Sequence, residues 1–260
     1  MTTVSSYMQI VKNLDKTLAT VAQRPDVARD SAYYLAHIGG VKTVDDFIKD
    51  DRLFTFAMKA YGLKDMVYGK AFMRKVLTEG IDGKNSFALQ LADPRFKEFA
   101  AAFNFARYGS TATVFTAAQQ GSVDKYIRVE LESQAGSTDQ GLQLALYFQR
   151  KAPGVTSVYG LMGDVALYKV VKTALGLPAA FSNVDIDKQA AFISGKLNFD
   201  SLKTSAGLDS FILKFTARWQ AANGAASLQV PQIGLSQPTL TSFSNSTMLS
   251  LQGLKTGGQS

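Results

Sequence analysis

One stretch of the chain contains a complete helix together with both of its ends: Asp50-Asp51-Arg52-Leu53-Phe54-Thr55-Phe56-Ala57-Met58-Lys59-Ala60-Tyr61-Gly62-Leu63. Asp50 is placed to cap the first turn by accepting hydrogen bonds from backbone N–H groups. Gly62 can adopt the left-handed conformation that ends a helix, and Leu63 can fold back onto the last turn. We predict a helix from about Asp51 to Tyr61 with a positive φ at Gly62, and its apolar spacing predicts these buried residues: Leu53, Ala57, Ala60 and Leu63.

The same pattern returns 114 positions later, from Asp164 to Leu177, and a third version runs from Asp93 to Phe103. In the 114-residue register, capping, apolar and glycine positions agree without a gap: Tyr33 with Tyr147, Tyr34 with Phe148, Gly40 with Gly154, Val44 with Val158, and Gly62 with Gly176. We interpret this as two related helical units, approximately residues 26–106 and 139–220. The alternative is two unrelated helices that happen to share their end signals.

Apolar periodicity elsewhere predicts further helices and no sustained strand alternation. The predicted segments include one long helix from Val4 to about Gln23, a weaker helix over 111–119, a helix capped by Ser137 or Thr138, one that starts at Asp187, and one over 208–219. The fold class is therefore all-α: an irregular multi-helix globule built from two related units, with residues 1–220 as a single domain.

Residues 221–260 differ in composition from the rest of the chain. They contain one charged residue, Lys255, and two prolines, with apolar side chains interspersed at no helical period. Because proline is not tolerated in the interior of a helix, a helix in this segment would have to avoid both prolines. Disordered linkers ordinarily carry more charge than this segment does. We predict an extended or partly disordered low-charge arm that adheres in part to the helical body and docks its end, from about Met248, on a partner subunit. The alternative is a tail without a role.

Composition excludes several classes of protein. The chain has no cysteine, so disulfides and thiolate metal sites are absent. The net charge of +7 is spread thinly, whereas nucleic-acid binders gather positive charge on one face, so nucleic acid is an unlikely partner. Residues 1–7 lack the charged leader and apolar core of a cleavable signal peptide. No apolar run reaches the length of a membrane span.

Candidate chemistry in the sequence is sparse. His37 is the single histidine and is expected at a helix end, where an imidazolium interacts favourably with the helix dipole. The acidic cluster of 45, 46, 50 and 51 could meet a metal, but two successive helix starts explain it better. A set of basic residues could line an anionic site or lie on a solvated face: Arg52, Arg74, Lys75, Arg95 and Arg107. We therefore predict no catalytic, cofactor-binding or metal-binding residue, and no cofactor.

Three segments resemble the signature of an uncharacterised all-helical family of unknown function: 51–63, Phe72 to Leu77, and Leu91 through Phe105. Members of that family are encoded in flagellar gene clusters of alphaproteobacteria. The resemblance implies a bacterial, non-enzymatic structural, assembly or adaptor protein that contacts flagellar components, located in the cytoplasm or with the flagellum. Val171 and Lys172 depart from Ala57 and Met58 of the first copy, which leaves the second copy free to serve a different partner.

Two other functions stay open at the level of sequence. One is an enzyme on a helical scaffold, which would use carboxylates and arginines converging in a pocket. The other is a basic anion-binding or nucleic-acid-binding protein that uses the excess positive charge. The oligomeric state is not predicted.

Overall fold

The computed structural model describes residues 2–223, and all regular structure in this range is helical. The α-helices are α1 Thr3–Lys12, α2 Leu14–Ala22, α3 Pro25–Ile38, α4 Val44–Lys49, α5 Asp51–Ala60, α6 Lys70–Glu79, α7 Phe87–Gln90, α8 Pro94–Ala102, α9 Phe105–Tyr108, α10 Gln120–Gly136, α11 Gln140–Lys151, α12 Val158–Gly163, α13 Val165–Leu175, α14 Ile186–Lys196 and α15 Ser205–Asn223. The all-α prediction is confirmed. The predicted arm, apart from 221–223, lies outside the described residues.

Helix α5 forms as its end signals predict. The Asp50 carboxylate accepts hydrogen bonds from the backbone N–H groups of Arg52 and Leu53 at 3.1 and 2.9 Å. Gly62 has φ +74°, and the N–H of Leu63 reaches back to the carbonyl of Met58 at 2.7 Å, which completes a Schellman motif. The predicted core positions are buried: Leu53, Ala57, Ala60 and Leu63.

The second unit repeats these contacts in the 114-residue register. Helices α4 and α12 have equivalent bounds, and each is capped by a hydroxyl, from Thr43 and Ser157 respectively. Asp164 caps α13 as Asp50 caps α5, and Gly176 has φ +70°. The N–H of Leu177 bonds to the carbonyl of Lys172 at 2.9 Å, five residues before it. The two units therefore share their capping chemistry as well as their apolar pattern.

A third helix completes the core of each unit. The two third helices, α10 and α15, are not equivalent in the 114-residue register. Helix α10 packs against α3 and α5, and α15 packs against α11 and α13. Helix α10 also packs along α11, so it joins the two units. The first core is rich in aromatic rings, with Phe56 stacked between Tyr34 and Tyr126 at centroid distances of 4.3 and 4.1 Å. Such stacked rings add to the free energy gained from burial.

Two of the helix predictions are wrong for local reasons. The predicted helix from Val4 to Gln23 is two helices, because Asn13 leaves helical geometry at φ −124° and its side-chain amide donates to the carbonyl of Gln9. Residues 111–119 form turns after a short 3₁₀ helix rather than an α-helix. Thr113 there uses its hydroxyl to bind the carbonyl of Val41 at 2.9 Å, and that tertiary bond replaces helical ones.

One cap and one helix start also differ from the sequence prediction. Asp139, rather than Ser137 or Thr138, caps α11 through the N–H groups of its first turn. The Asp139 carboxylate interacts favourably with the helix dipole in addition to its hydrogen bonds, which an alcohol does not. The helix predicted to start at Asp187 starts at Ile186, and Asp185 caps it. The last described helix, α15, runs to Asn223, four residues beyond the predicted range of 208–219.

Candidate functional site

Each member of the acidic cluster at residues 45–51 has a structural partner. Asp50 caps α5, and Asp46 forms a capping box with Thr43, whose hydrogen bond lowers the pKa of the Asp46 carboxyl. Asp45 pairs with Arg74, and Asp51 pairs with Lys70. The structure thus assigns the cluster to two helix starts and two surface ion pairs, as the sequence favours.

The basic residues named as an anion-site alternative do not share a site, because each has its own acidic partner. Arg52 lies 3.0 Å from Asp30, and its guanidinium stacks 3.7 Å from the centre of the Tyr33 ring. The remaining members pair within the fold as follows: Arg74 with Asp45, Lys75 with Glu79, Arg95 with Asp93, and Arg107 with Asp82.

His37 lies in the last turn of α3, as predicted, and its ring is exposed. It stacks on the Tyr33 ring at a centroid distance of 4.1 Å, and its Nδ1 lies 2.7 Å from the Tyr33 carbonyl oxygen. Both contacts are made with Tyr33, one turn earlier in α3, so they hold the imidazole against the last turn of the helix.

A buried ion-pair network between α10 and α11 was not predicted from the sequence. Glu132 is 4% exposed and receives two hydrogen bonds from Arg150, at 2.6 and 2.8 Å. Burial opposes the charge of Arg150, but the hydrogen bonds that it donates to Glu132 and the charge of that carboxylate outweigh burial and raise the pKa of the guanidinium. Arg128 lies 3.9 Å from the same carboxylate, and burial lowers its pKa.

A second buried carboxylate, Glu130, pairs with Lys59 of α5 and lies 3.7 Å from Arg24. The sequence held one signal for it. Glu130 falls four residues after the buried Tyr126 and seven after the buried Val123, so it stands on the apolar face of α10. A carboxylate on such a face needs a buried partner, and that partner comes from a helix distant in the sequence. Glu130 thus ties α10 to α5 of the first unit, whereas Glu132 ties α10 to α11 of the second.

Two adjoining pockets form a concavity that we call the paired groove, lined by the second unit and, from the first unit, by Ala92, Asp93 and Arg95. Its first pocket measures about 550 Å³ and is formed by the start of α8, one side of α11 and the start of α13. Its second pocket measures about 570 Å³ and is formed by α12, the residues before α14, and the start of α14. The two pockets share Gly163.

Apolar side chains at the rim of the paired groove are exposed to solvent. Val165 is 82% exposed, Ile186 58% and Tyr159 54%. Val184, which also lines the second pocket, is 40% exposed. Exposed apolar surface of this kind marks interaction sites.

Val165 and Ile186 occupy equivalent positions, which the sequence analysis missed. Each is the first residue of its helix and directly follows the capping aspartate. The first turn of a helix usually carries acidic or small polar residues. An exposed apolar residue at that position is therefore unusual, and it indicates a contact surface.

The charged groups that line the first pocket are engaged within the protein. Arg95 binds both carboxylate oxygens of Asp93 and donates to the Gly62 carbonyl. Burial opposes the ionisation of Asp93, but the bonds from Arg95 prevail and lower the pKa of its carboxyl. Tyr147 donates to Asp164 at 2.6 Å, and its pKa is raised by burial and then by that carboxylate.

Lys169 is the second cationic side chain, besides Arg95, that lines the first pocket. The Nζ of Lys169 lies 3.5 Å from the Gln140 amide oxygen and 5.0 Å from the centre of the Trp219 ring. The lining thus combines apolar side chains, amides, the Asp93–Arg95 ion pair, and the charged side chains of Asp164 and Lys169, whose partners are neutral groups. It is suited to bind a polypeptide surface through apolar contacts and neutral hydrogen bonds.

Two general features of residues 2–223 bear on the kind of protein. No helix in this range is both long and apolar enough to cross a lipid bilayer. In the same range, no three His, Asp or Glu side chains are grouped so as to hold a metal ion.

These observations define an all-helical protein of two related units with a groove lined by both. The chain belongs to the family described as a protein of unknown function, DUF1217, whose pattern matches residues 60–208. It is similar to a protein of the alphaproteobacterium Agrobacterium tumefaciens solved by X-ray crystallography, with 43% identity and a TM-score of 0.80. The match covers 85% of this chain and 94% of that chain. No curated protein matches the sequence.

Proposed function

We propose that this protein is a non-enzymatic structural, assembly or adaptor protein of the bacterial flagellum that acts through protein–protein contacts. The resemblance of residues 51–63, 72–77 and 91–105 to a family encoded with flagellar genes supports the flagellar part. On this proposal its partners are flagellar components, and the protein is located in the cytoplasm or with the flagellum.

The observation that carries the binding part is the exposed apolar rim of the paired groove. Val165 is 82% exposed and Ile186 is 58% exposed. Contact between apolar surface and water is unfavourable, so a partner that covers these side chains gains free energy of binding. The charged residues of the described chain support the same conclusion, because those named in the sequence analysis are engaged in caps and ion pairs.

The proposal is tested by deleting the gene in a motile host and restoring it with variants. Loss of swimming on deletion, rescued by the unaltered gene, is the expected result. Complementation with Val165→Asp/Ile186→Asp should fail while the protein accumulates normally. Tyr68→Asp is the matched control, since Tyr68 is 96% exposed and does not line the groove, and it should restore swimming.

Unimpaired swimming and normal filaments after deletion would contradict the flagellar role. Normal complementation by the double variant would instead contradict the role of the groove. Co-purification from motile cells, compared between the unaltered protein and the double variant, identifies the components that depend on it.

A further inference from the structure

The duplication of the chain provides a template for what the first pocket binds. In the first unit, the guanidinium of Arg52 stacks 3.7 Å from the centre of the Tyr33 ring and lies 3.0 Å from Asp30. Arg52 is the second residue of α5, whereas the tyrosine and the aspartate belong to α3. The Arg52 side chain thus fills the surface between α3 and the start of α5.

The residues of this arginine site have counterparts, 114 positions later, that line the first pocket. Tyr147 and Asp164 keep the tyrosine ring and the capping aspartate of the first unit. Ala166 replaces the arginine, and Leu144 replaces the aspartate that pairs with it. The first pocket is therefore the open counterpart of a site that the first unit fills with its own arginine.

Two of the four charged side chains that line the first pocket have neutral partners. Arg95 and Asp93 are bound to each other through both carboxylate oxygens. Asp164 accepts hydrogen bonds from two backbone N–H groups and, at 2.6 Å, from the Tyr147 hydroxyl. Lys169 lies 3.5 Å from a glutamine amide oxygen. Within the part of the chain that the structure describes, one carboxylate and one ammonium of the pocket thus lack a partner of opposite charge.

A ligand that complements this pocket carries a positive group for Asp164 and a negative group for Lys169. The positive group also faces the Tyr147 ring, and a planar guanidinium both stacks on an aromatic face and donates to a carboxylate. Arginine is therefore favoured over lysine at this position. A carboxylate on the same ligand offsets the repulsion that Lys169 exerts on an incoming cation. Charges arranged in this way contribute more to specificity than to affinity.

We propose that the first pocket binds an arginine side chain of a partner protein, stacked on Tyr147 and paired with Asp164, and that an acidic residue of the same partner pairs with Lys169. This rests on the proposed function as a protein that acts through protein–protein contacts, and it specifies two residues of the partner. Val165, which lines the same pocket and is exposed, supplies apolar contact beside these pairs.

The test uses the full-length protein and a set of short synthetic peptides as the probe. Each peptide carries one arginine and one aspartate, separated by spacers of increasing length. Companion peptides replace the arginine with citrulline, which keeps the shape of the side chain and removes its charge, or replace the aspartate with asparagine. Titrations followed by NMR measure the affinities, because they detect weak complexes.

Four variants accompany the unaltered protein. Asp164→Asn and Lys169→Gln each remove one charge from the pocket, and asparagine caps a helix as well as aspartate does, so the first should fold. Ala166→Arg fills the pocket from within by placing there the residue that the first unit has at this position. Asp50→Asn is the matched control, because it makes the same change at the equivalent cap, beside a site that Arg52 already fills. Circular dichroism verifies the fold of each variant.

At the preferred spacing, citrulline in place of arginine should weaken binding to the unaltered protein at least about tenfold. Asp164→Asn should weaken binding of the arginine peptide and reduce the effect of citrulline, since the pair is already broken. Lys169→Gln should likewise reduce the effect of replacing the peptide aspartate. Ala166→Arg should abolish binding, and Asp50→Asn should leave it unchanged.

The inference is overturned if none of the peptides binds, if the citrulline peptide binds as tightly as the arginine peptide, or if Ala166→Arg leaves binding unchanged. Self-association in sedimentation experiments that Ala166→Arg abolishes would also overturn it, and would assign the pocket to a second copy of the chain. The deletion phenotype and the complementation by Val165→Asp/Ile186→Asp do not depend on these peptides. Failure here is therefore distinguishable from failure of the proposed function.

Discussion

At the scale of single residues, the ends of helices carry much of the information in this chain. Gly62 and Gly176 both have positive φ and both end a helix with the same pair of backbone bonds. Their surroundings differ, however. A Cβ on Gly62 would make ordinary contact with Arg95 at 3.6 Å, whereas one on Gly176 would lie 2.5 Å from Arg218.

This difference gives a paired prediction. Gly62→Ala should lower the free energy of unfolding by about 1–2 kcal/mol, since an L-residue is strained in the left-handed region. Gly176→Ala should cost more, because Arg218 must also move and lose its 2.8 Å bond to the Ala174 carbonyl. Denaturant unfolding followed by circular dichroism measures both.

Gly195 is the control for this pair, as it lies inside α14 with open space around its Cβ position. Gly195→Ala should leave stability unchanged or raise it by up to about 1 kcal/mol. Equal losses at Gly62 and Gly176 would show that the contact with Arg218 contributes nothing.

Asp93 gives a pH-dependent prediction at the same scale. Its pKa is lower in the folded protein than in the unfolded chain, so its stabilising effect is present above the unfolded pKa of about 3.9. The effect is lost as the pH falls through the lower folded pKa. The stability difference between the unaltered protein and Asp93→Asn should therefore be largest near neutral pH and shrink in acid.

Chemical denaturation at a series of pH values measures this difference for Asp93. A difference that stays constant from neutral to acidic pH would mean that the carboxylate charge does not contribute. Arg95→Met should reproduce the same pH dependence, because it removes the group that lowers the pKa.

At the scale of elements, an aspartate caps the start of α5 in the first unit and of α13 in the second, and one of these two caps has a second role. Asp50 and Asp164 each accept two backbone N–H groups at the start of α5 and α13. Asp164 also accepts the hydroxyl of Tyr147 from α11. The cap of the second unit therefore links two helices as well as starting one.

We accordingly expect Asp164→Ala to destabilise the protein more than Asp50→Ala. Loss of a cap costs about 1 kcal/mol, and the unpartnered Tyr147 hydroxyl adds about 1 kcal/mol. Tyr147→Phe isolates the second contribution, and a double-mutant cycle with Asp164→Ala measures the coupling. A coupling energy near zero would refute the link between α11 and α13.

At the scale of the whole molecule, α10 and α11 join the two units through the buried network around Glu132. Glu132→Ala leaves Arg128 and Arg150 without their shared carboxylate, and breaking a buried pair in this way costs about 3–5 kcal/mol. The thermal midpoint should fall on the order of 10 °C. Calorimetry of the unaltered protein should give one transition for the helical body, because the network and the core couple its two units.

The exposed pair of Asp200 and Lys203 provides the control, and Asp200→Ala should leave the midpoint unchanged. Two resolved transitions in the unaltered protein would contradict the coupling of the units. A negligible loss for Glu132→Ala would show that the network is not what joins them.

The sequence by itself determined the helices with strong end signals and the duplication. The caps of α5 and α13, the glycines that end them and the buried face at Leu53 and Ala57 follow from residues within a turn or two of each other. Local hydrogen bonds and helical periodicity fix such features before any distant contact forms. Where local signals were weak or competed, as at Asn13 and Thr113, the predicted helices were wrong.

Only the tertiary structure decided where the buried charges find partners and where the groove lies. Glu130 meets Lys59, and Lys151 meets Glu98, between residues that lie some fifty or more positions apart. No local pattern specifies such pairs, because they depend on how α10 joins the two units. The groove forms for the same reason: packing of the units buries most apolar faces but leaves Val165 and Ile186 without a partner in the fold.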